Sequence, residues 1–287
     1  MSIEVKKLSF VYGKGTPFET TAIKDVSFTI EKGEFVGIMG HTGCGKSTVI
    51  QLVAGLIQPE TGKVRVDGDD INLKSYDRGL LRRKVGLLFQ YPECQLFENT
   101  VEKDVAFGLK NSGLSKSEET QRVKWAIAVT GFDFEKLHGQ SPMGLSGGEK
   151  RRIAIAGVLA AKPEYLILDE PIAGLDPLAR DDFLELITKL NSDGMTIIMV
   201  SHNADCLGEY AKRILVFDHG ELVEDGATEA VFSDVEKMKA RSLGVSESRH
   251  IAYLLEKRGL NIAQNITTYE QLLSAVVSML NGRGGGI

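Results

Sequence analysis

At 287 residues, with 43% hydrophobic and 25% charged side chains, the chain has the size and composition of one large globular α/β domain with an appendage. Its net charge of −5 excludes the overall basic signal of a nucleic-acid binder. The scattered cysteines Cys44, Cys94 and Cys206 have neither disulfide-framework nor metal-ligand spacing, no signal peptide opens the sequence, and no apolar run approaches the ~20 residues of a transmembrane helix. A soluble chain is expected, which leaves docking on a membrane protein open.

Residues 3–12 alternate apolar and polar side chains and predict a half-exposed strand, with a Gly/Pro loop over 13–21 and a second strand over 22–30. Together they predict an antiparallel subdomain that leads into a parallel core. Tyr12, at a strand end, can stack on an adenine ring or simply pack. Residues 35–39 form a short apolar run, as expected of a buried parallel strand. The next stretch, Gly40, His41, Thr42, Gly43, Cys44, Gly45, Lys46, Ser47 and Thr48, matches the phosphate-loop pattern at every fixed position, and an apolar helical run follows. Glycines let the backbone wrap and aim N–H groups at one point, where the helix directs its positive end. Lys46 supplies a charge for the β- and γ-phosphates, and Ser47 a hydroxyl for Mg²⁺.

Residues 63–66 and 69–73 predict a hairpin about Asp67-Gly68, and 84–89 another buried strand that ends at Gln90. A glutamine there can reach a metal, although alone it has no specificity. Residues 91–111 read as loop, and Ser115 opens a capping-box helix that runs towards Gly131 and carries Trp125 as buried packing. Ser146, Gly147, Gly148 and Glu149 precede a second apolar helix that ends before Pro163. This entrance is either a second anion-seeking helix end or an ordinary Ser/Gly cap. Residues 165–170 form an apolar strand ending in Asp169 and Glu170, whose side chains are expected on opposite faces. Asp169 then suits Mg²⁺, through a water, and Glu170 suits the attacking water. Asp176 caps a helix that has Pro177 at its first position. His202 follows the strand 195–200, at the edge where open α/β sheets place their sites, and is equally readable as structural. Residues 214–223 predict a hairpin about His219-Gly220. Beyond 233, an amphipathic helix over 246–257 and a Thr267-to-Glu270 capping box before 271–280 predict a small helical appendage, too small for its own core, which should dock or pair through Ile251, Leu254 and Leu255. Residues 282–287 read as a frayed tail.

Over about 3–232 these motifs, in this order, resemble the ATP-binding-cassette ATPases. The resemblance identifies 40–48 as Walker A, Gln90 as the Q-loop residue, 145–149 as the signature, 166–170 as Walker B, 173–176 as the D-loop and His202 as the switch histidine. Glu149 stands where the family more often has glutamine, which should alter the signature's hydrogen bonding modestly. Tyr12 falls at the adenine-stacking position. The implied fold is an α/β P-loop nucleotide-binding domain over 1–233, with a helical insertion at about 91–160, followed by a helical dimerisation element over 234–287. The implied ligands are ATP and Mg²⁺, with Ser47, Gln90 and Asp169 on the metal and Glu170, His202 and Lys46 catalytic.

Residues 89–93, 95–101, 104–108 and 152–160 are similar, more narrowly, to the energy-coupling factor transporter ATPases. That similarity implies an importer for vitamins or transition-metal ions, peripheral on the cytoplasmic face of the cell membrane. Its partners would be a second ATPase subunit (a paralogue or a copy), a transmembrane coupling subunit and a membrane substrate-binding subunit, with no nucleic acid. The aromatic-acidic stretch 90–108 is the expected contact with the coupling subunit. The alternatives are a homodimeric cobalt/nickel-type importer ATPase, a soluble ATPase acting on DNA or ribosomes, and a regulator that does not hydrolyse ATP. A single cassette without sustained heptads argues against the DNA and ribosome readings, and the presence of Glu170 and His202 argues against the last.

Overall fold

Two sheets organise the computed structural model, which describes residues 1–110 and 112–283. The chain opens with β1 (Ser2–Tyr12), β2 (Thr20–Glu31), β3 (Phe35–Gly40), α1 (Lys46–Val53), β4 (Thr61–Val66), β5 (Asp69–Asp70), α2 (Arg78–Lys84) and β6 (Val85–Leu88). Helices α3 (Val101–Ala106), α4 (Lys116–Val129), α5 (Phe134–Leu137) and α6 (Gly147–Leu159) follow. The sheet resumes with β7 (Tyr165–Asp169), α7 (Pro177–Ser192), β8 (Thr196–Val200), α8 (Ala204–Tyr210), β9 (Arg213–Asp218) and β10 (Glu221–Ala227). The carboxyl-terminal part holds α9 (Thr228–Ser233), α10 (Val235–Ala240), α11 (Glu247–Lys257) and α12 (Tyr269–Arg283).

The antiparallel sheet has the order β2-β1-β4-β5, and the central sheet β10-β9-β3-β8-β7-β6. In the central sheet β9, β3, β8, β7 and β6 are mutually parallel, and β10 runs antiparallel at one edge. Its parallel strands are apolar on both faces, and side-chain alternation divides them between two cores. Leu166, Leu168, Ile197 and Met199 face the helical layer. Tyr165, Ile167, Ile198 and Val200 face the antiparallel sheet, where they meet Ile3, Val5, Leu8 and Val64. Each such side chain contributes about 1.5–3 kcal/mol on burial. A one-residue slip would therefore exchange the two cores.

The register also places the functional edge. Ile38 and Asp169 both pair with Val200, and the Ser201 N–H donates to Ile38 O at 3.1 Å. Parallel strands end together, so the loops after β3, β7 and β8 converge at one edge.

The expected loop over 91–111 is more ordered than its sequence suggests; Asn111 itself lies outside the described residues. A 3-10 turn covers Pro92–Gln95, and α3 is capped by Thr100, whose Oγ1 accepts from the Lys103 N–H. Buried Asp104 accepts the Phe97 and Glu98 N–H groups at 2.9 and 2.8 Å, and these bonds hold the turn against the helix. Trp125 is only partly buried, with the Lys162 ammonium 5.0 Å from its ring.

Two further expectations are corrected in the carboxyl-terminal part. The capping pair of α12 is Thr268 with Gln271, one residue later than Thr267 with Glu270: Gln271 Oε1 accepts from the Thr268 N–H at 3.1 Å, and Thr268 Oγ1 from the Gln271 N–H at 3.3 Å. The appendage also has a small core, in which Ala252, Ile262, Ile266 and Leu272 are buried and Leu255 packs against them. Residues 284–287 of the expected tail lie outside the described residues.

Candidate active site

The phosphate loop is wedged between the two sheets. A Cβ on Gly40 would lie 2.4 Å from Phe217 O, and one on Gly45 would lie 2.5 Å from Ala22 O, so a side chain at either place would push two strands apart. Gly45 is the N-cap of α1 in the left-handed region, with φ +106° and no side-chain cap. The first N–H groups of α1 thus meet no carboxylate or hydroxyl of their own turn, as an anion-binding helix start requires. Lys46 curls back over the loop, and its Nζ donates to Gly40 O at 2.7 Å and His41 O at 2.9 Å. Cys44 is buried beneath it, and burial pushes its thiol up. The Tyr12 hydroxyl lies 3.3 Å from Thr48 Oγ1, and the ring meets Phe10 edge-on at 4.8 Å. With 44% of its surface exposed, Tyr12 borders the loop with an accessible ring.

Asp169 ends β7 and is buried. Burial pushes its carboxyl above the ordinary value; the Ser47 hydroxyl and Lys46 ammonium oppose the shift, and the Glu170 charge adds to it. Asp169 therefore faces the phosphate loop. Glu170 has left the strand: its φ is +47°, so a left-handed residue, and not simple strand alternation, parts the two carboxylates. The Glu170 N–H still donates to Val200 O at 2.9 Å. Its Oε1 accepts the His202 N–H at 3.0 Å, and its Oε2 lies 2.9 Å from His202 Nδ1. The structure thus joins Glu170 and His202, which the sequence offered separately. Gln90 is exposed two residues beyond the Leu88–Leu168 pair, at the same edge, and hydrogen-bonds to neither Ser47 nor Asp169.

The remaining sequence-predicted residues lie elsewhere. Ser146, Gly148, Glu149 and Asp176 line a cleft of about 670 Å³, floored by apolar residues of α6 and α7 such as Ile155 and Phe183, and no phosphate-loop residue takes part. Ser146 and Glu149 form a complete capping box at the start of α6, next to Gly147. Glu149 Oε2 accepts the Ser146 N–H at 2.8 Å and its hydroxyl at 2.7 Å, and these bonds hold the Glu149 carboxyl below its usual range. Asp176 caps α7 by accepting the Ala179 N–H at 3.0 Å.

Arg151 was missed by the sequence reading. It is buried one turn into α6, and its NH1 donates to Ala173 O at 2.9 Å. Burial lowers its guanidinium from the usual value, and the nearby Glu93 carboxylate and Tyr91 oppose that. Its hydrogen bond ties α6 to the segment that carries Asp176, and the Glu93 charge in the turn after Gln90 acts on it through space. The available signal was a charged residue on the apolar face of a helix.

Comparison with known proteins accords with this arrangement. The family described as ABC transporter matches residues 23–173. The energy-coupling factor transporter ATP-binding protein EcfA2 of Clostridium tetani is 46% identical over 284 residues, 99% of each chain. The protein of the same name from Lactobacillus johnsonii is 45% identical over 287 residues, again 99% of each. Among solved structures, cbiO1 from Clostridium perfringens, part of the ABC transporter complex cbiONQ, superposes with a TM-score of 0.73 at 34% identity, covering 88% of this chain and 98% of that one. The ATP-binding cassette MJ0796, as a post-hydrolysis dimer bound to ADP and Pi, gives 0.69 at 29% identity, covering 78% and 98%.

Proposed function

The chain belongs to the ABC transporter family and, within it, to the energy-coupling factor transporter ATP-binding proteins; from that premise we propose how its residues divide the work of ATP hydrolysis and energise a membrane importer. The observation that carries the reading is the split between the two clefts. The phosphate loop, Asp169, Glu170 and His202 share one edge, whereas Ser146, Gly148, Glu149 and Asp176 line another. A second ATPase subunit, placed head to tail, would bring its own signature cleft to this phosphate loop, so ATP would seal two such interfaces and its hydrolysis would release them. The dimeric cassette bound to ADP and Pi among the structural relatives supports that arrangement.

Within one site, Lys46 and the loop's N–H groups bind the β- and γ-phosphates, and Tyr12 stacks on the adenine. Glu170 orients the attacking water and takes its proton. His202 positions Glu170 through the two contacts above and senses the γ-phosphate. The donor set fits a magnesium ion: the Ser47 hydroxyl beside a buried, desolvated carboxylate on Asp169 would hold it, with Gln90 reaching in from the edge. When bound, that ion would neutralise charge on the β- and γ-phosphates.

Contact with the transmembrane coupling subunit falls to the segment 90–108. Phe97 and Phe107 meet edge-on at 4.7 Å yet remain 59% and 43% exposed, with the Lys110 ammonium 4.1 Å from the Phe107 ring. An exposed aromatic pair braced by a helix suits an apolar partner surface. Glu93 is half-buried, and Glu98 pairs with Lys110, so within this segment we assign the contact to the exposed aromatic pair. Pairing of ATPase subunits is assigned to α12, where Tyr269, Leu273, Val277 and Leu280 leave an exposed apolar stripe at helical spacing. Ile251 and Leu254 are also exposed, but Leu255 is committed to the local core. The cargo class, vitamins or transition-metal ions, follows from the family alone.

The test is to purify the tagged chain from its native membrane after placing a photo-crosslinker at position 97. Recovery of a multi-span membrane protein cross-linked there, and its loss when the crosslinker is moved to exposed Leu56, supports the assignment. Cross-links that map to ribosomal or DNA-bound proteins would refute it.

A further inference from the structure

Unused by ATP hydrolysis as described are the side chains of His41, in the phosphate loop, and of Asp218 and His219, at the β9–β10 turn. One ligand atom from each lies within 4.8 Å of the others. We propose that these three residues bind one divalent transition-metal ion of the zinc, cobalt or nickel type, which ties the phosphate loop to the β9–β10 turn.

Spacing is the first support. His41 Nε2 lies 3.0 Å from Asp218 Oδ1, and His219 Nε2 lies 3.7 Å from the same oxygen. Metal–ligand bonds of ~2.0–2.1 Å at tetrahedral angles separate ligand atoms by about 3.3 Å, between those two values. The second support is the proton inventory of His41. Its Nδ1 is 2.8 Å from Thr42 O, an acceptor only, so Nδ1 carries the proton and donates. In the neutral ring, the Nε2 lone pair then points at the Asp218 carboxylate, itself only an acceptor. Either a proton on Nε2 or a metal ion held between the two reconciles the pair, and the Co²⁺ titration below separates these outcomes. A histidine fixed by a backbone carbonyl, with its other nitrogen turned to a carboxylate-bearing site, is the usual arrangement of a metal-ligating imidazole.

The third support is the turn itself. His219 and Gly220 have φ +46° and +81°, the two central left-handed residues of a tight hairpin turn. Histidine, like asparagine, is among the non-glycine residues that enter this region most readily. The histidine there projects beside His41, with ring centroids 5.0 Å apart. The turn is anchored to the loop by the Gly220 N–H, which donates to Cys44 O at 3.0 Å. The His219 side chain is 87% exposed, so a rotamer adjustment completes the triangle and a water can take the fourth position. Two imidazoles and one carboxylate select borderline transition metals over Mg²⁺, which prefers six oxygens. The nearby charges are the Lys46 ammonium on the His41 carbonyl and the Lys24–Glu221 pair at the foot of the hairpin.

The test titrates Co²⁺ into the full-length chain, free of nucleotide and Mg²⁺, following bound metal by equilibrium dialysis and the visible spectrum. The expected result is one equivalent, with d–d bands and no thiolate charge transfer. His219→Asn, which suits the left-handed turn, and Asp218→Asn should each weaken binding at least tenfold. Cys94→Ser, at the exposed thiol, should change nothing, and His219→Asn should keep the parent's Mg²⁺-dependent ATPase rate measured without added transition metal, which shows that the variant folds. The proposal is overturned if no Co²⁺ binds, which would leave a protonated His41–Asp218 ion pair, if His219→Asn binds as the parent does, or if Cys94→Ser abolishes binding.

Discussion

The starts of α1 and α6 have similar Gly-Ser sequence signals but different chemistry. At α1, Gly45 leaves the helix start uncapped by any side chain, no acid occupies the first turn, and Lys46 is bonded to the loop's own carbonyls. At α6, Ser146 and Glu149 satisfy each other's backbone N–H groups and place a carboxylate at the entrance. At α1 no side chain takes a donor, whereas at α6 the capping box takes the Ser146 and Glu149 N–H groups and leaves those of Gly147 and Gly148. The difference teaches that a glycine-rich helix start is a phosphate site only where its donors are free.

The comparison is tested most severely at the water-activating end of the α1 site. Glu170→Gln keeps size and hydrogen bonding but removes the base. Turnover should fall roughly 10²–10⁴-fold, the range typical of a lost general base, while ATP binding persists. Phosphate release and nucleotide titration measure the two separately, and an unchanged rate would transfer the role of base to His202. Next in size is Lys46→Ala. A hydrogen bond to a charged group contributes about 1.5–3 kcal/mol, so ATP affinity should drop by about 10–150-fold. Equal affinity in the variant would mean that the backbone alone makes the α1 site. The smallest effect is expected at the capped start. Glu149→Gln keeps the cap and removes a negative charge that faces the incoming phosphate; exposed charge pairs are worth about 0.2–1 kcal/mol, so ATP-dependent pairing should tighten by about 1.5–5-fold. Sedimentation in the Glu170→Gln background measures it, and weaker pairing would show that the carboxylate is needed at the interface.

How much of this was legible in the sequence depended on whether the signal was local. Residues 40–48, 165–170 and 202 could be read because strand, loop and helix follow one another within each motif, and the parallel register then converges them. The order within 91–111 was hidden because it rests on Asp104, which serves N–H groups six and seven residues upstream across a chain reversal. Arg151 was hidden because its partners, Glu93 and Ala173, are remote in sequence. In the appendage, periodicity alone could not decide between the apolar faces of α11 and α12; the packing of Leu255 against Ile262, Ile266 and Leu272 did so. The capping box of α6 was legible as a spacing, but whether its donors were occupied was not.

The wedged position of the phosphate loop has a thermodynamic consequence. Because Gly40 abuts the β9 carbonyl of Phe217 and Gly45 the β2 carbonyl of Ala22, a nucleotide held there acts at the joint of the two sheets, beside the core they share, and not on a peripheral flap. Its binding free energy is then linked to cooperative unfolding of both sheets, so saturation to a hundred times the dissociation constant raises global stability by about 2.7 kcal/mol. For a domain of this size that corresponds to a rise in melting temperature on the order of 5–10 °C. A higher ATP concentration thereby lowers the fraction of the subunit that is unfolded at equilibrium.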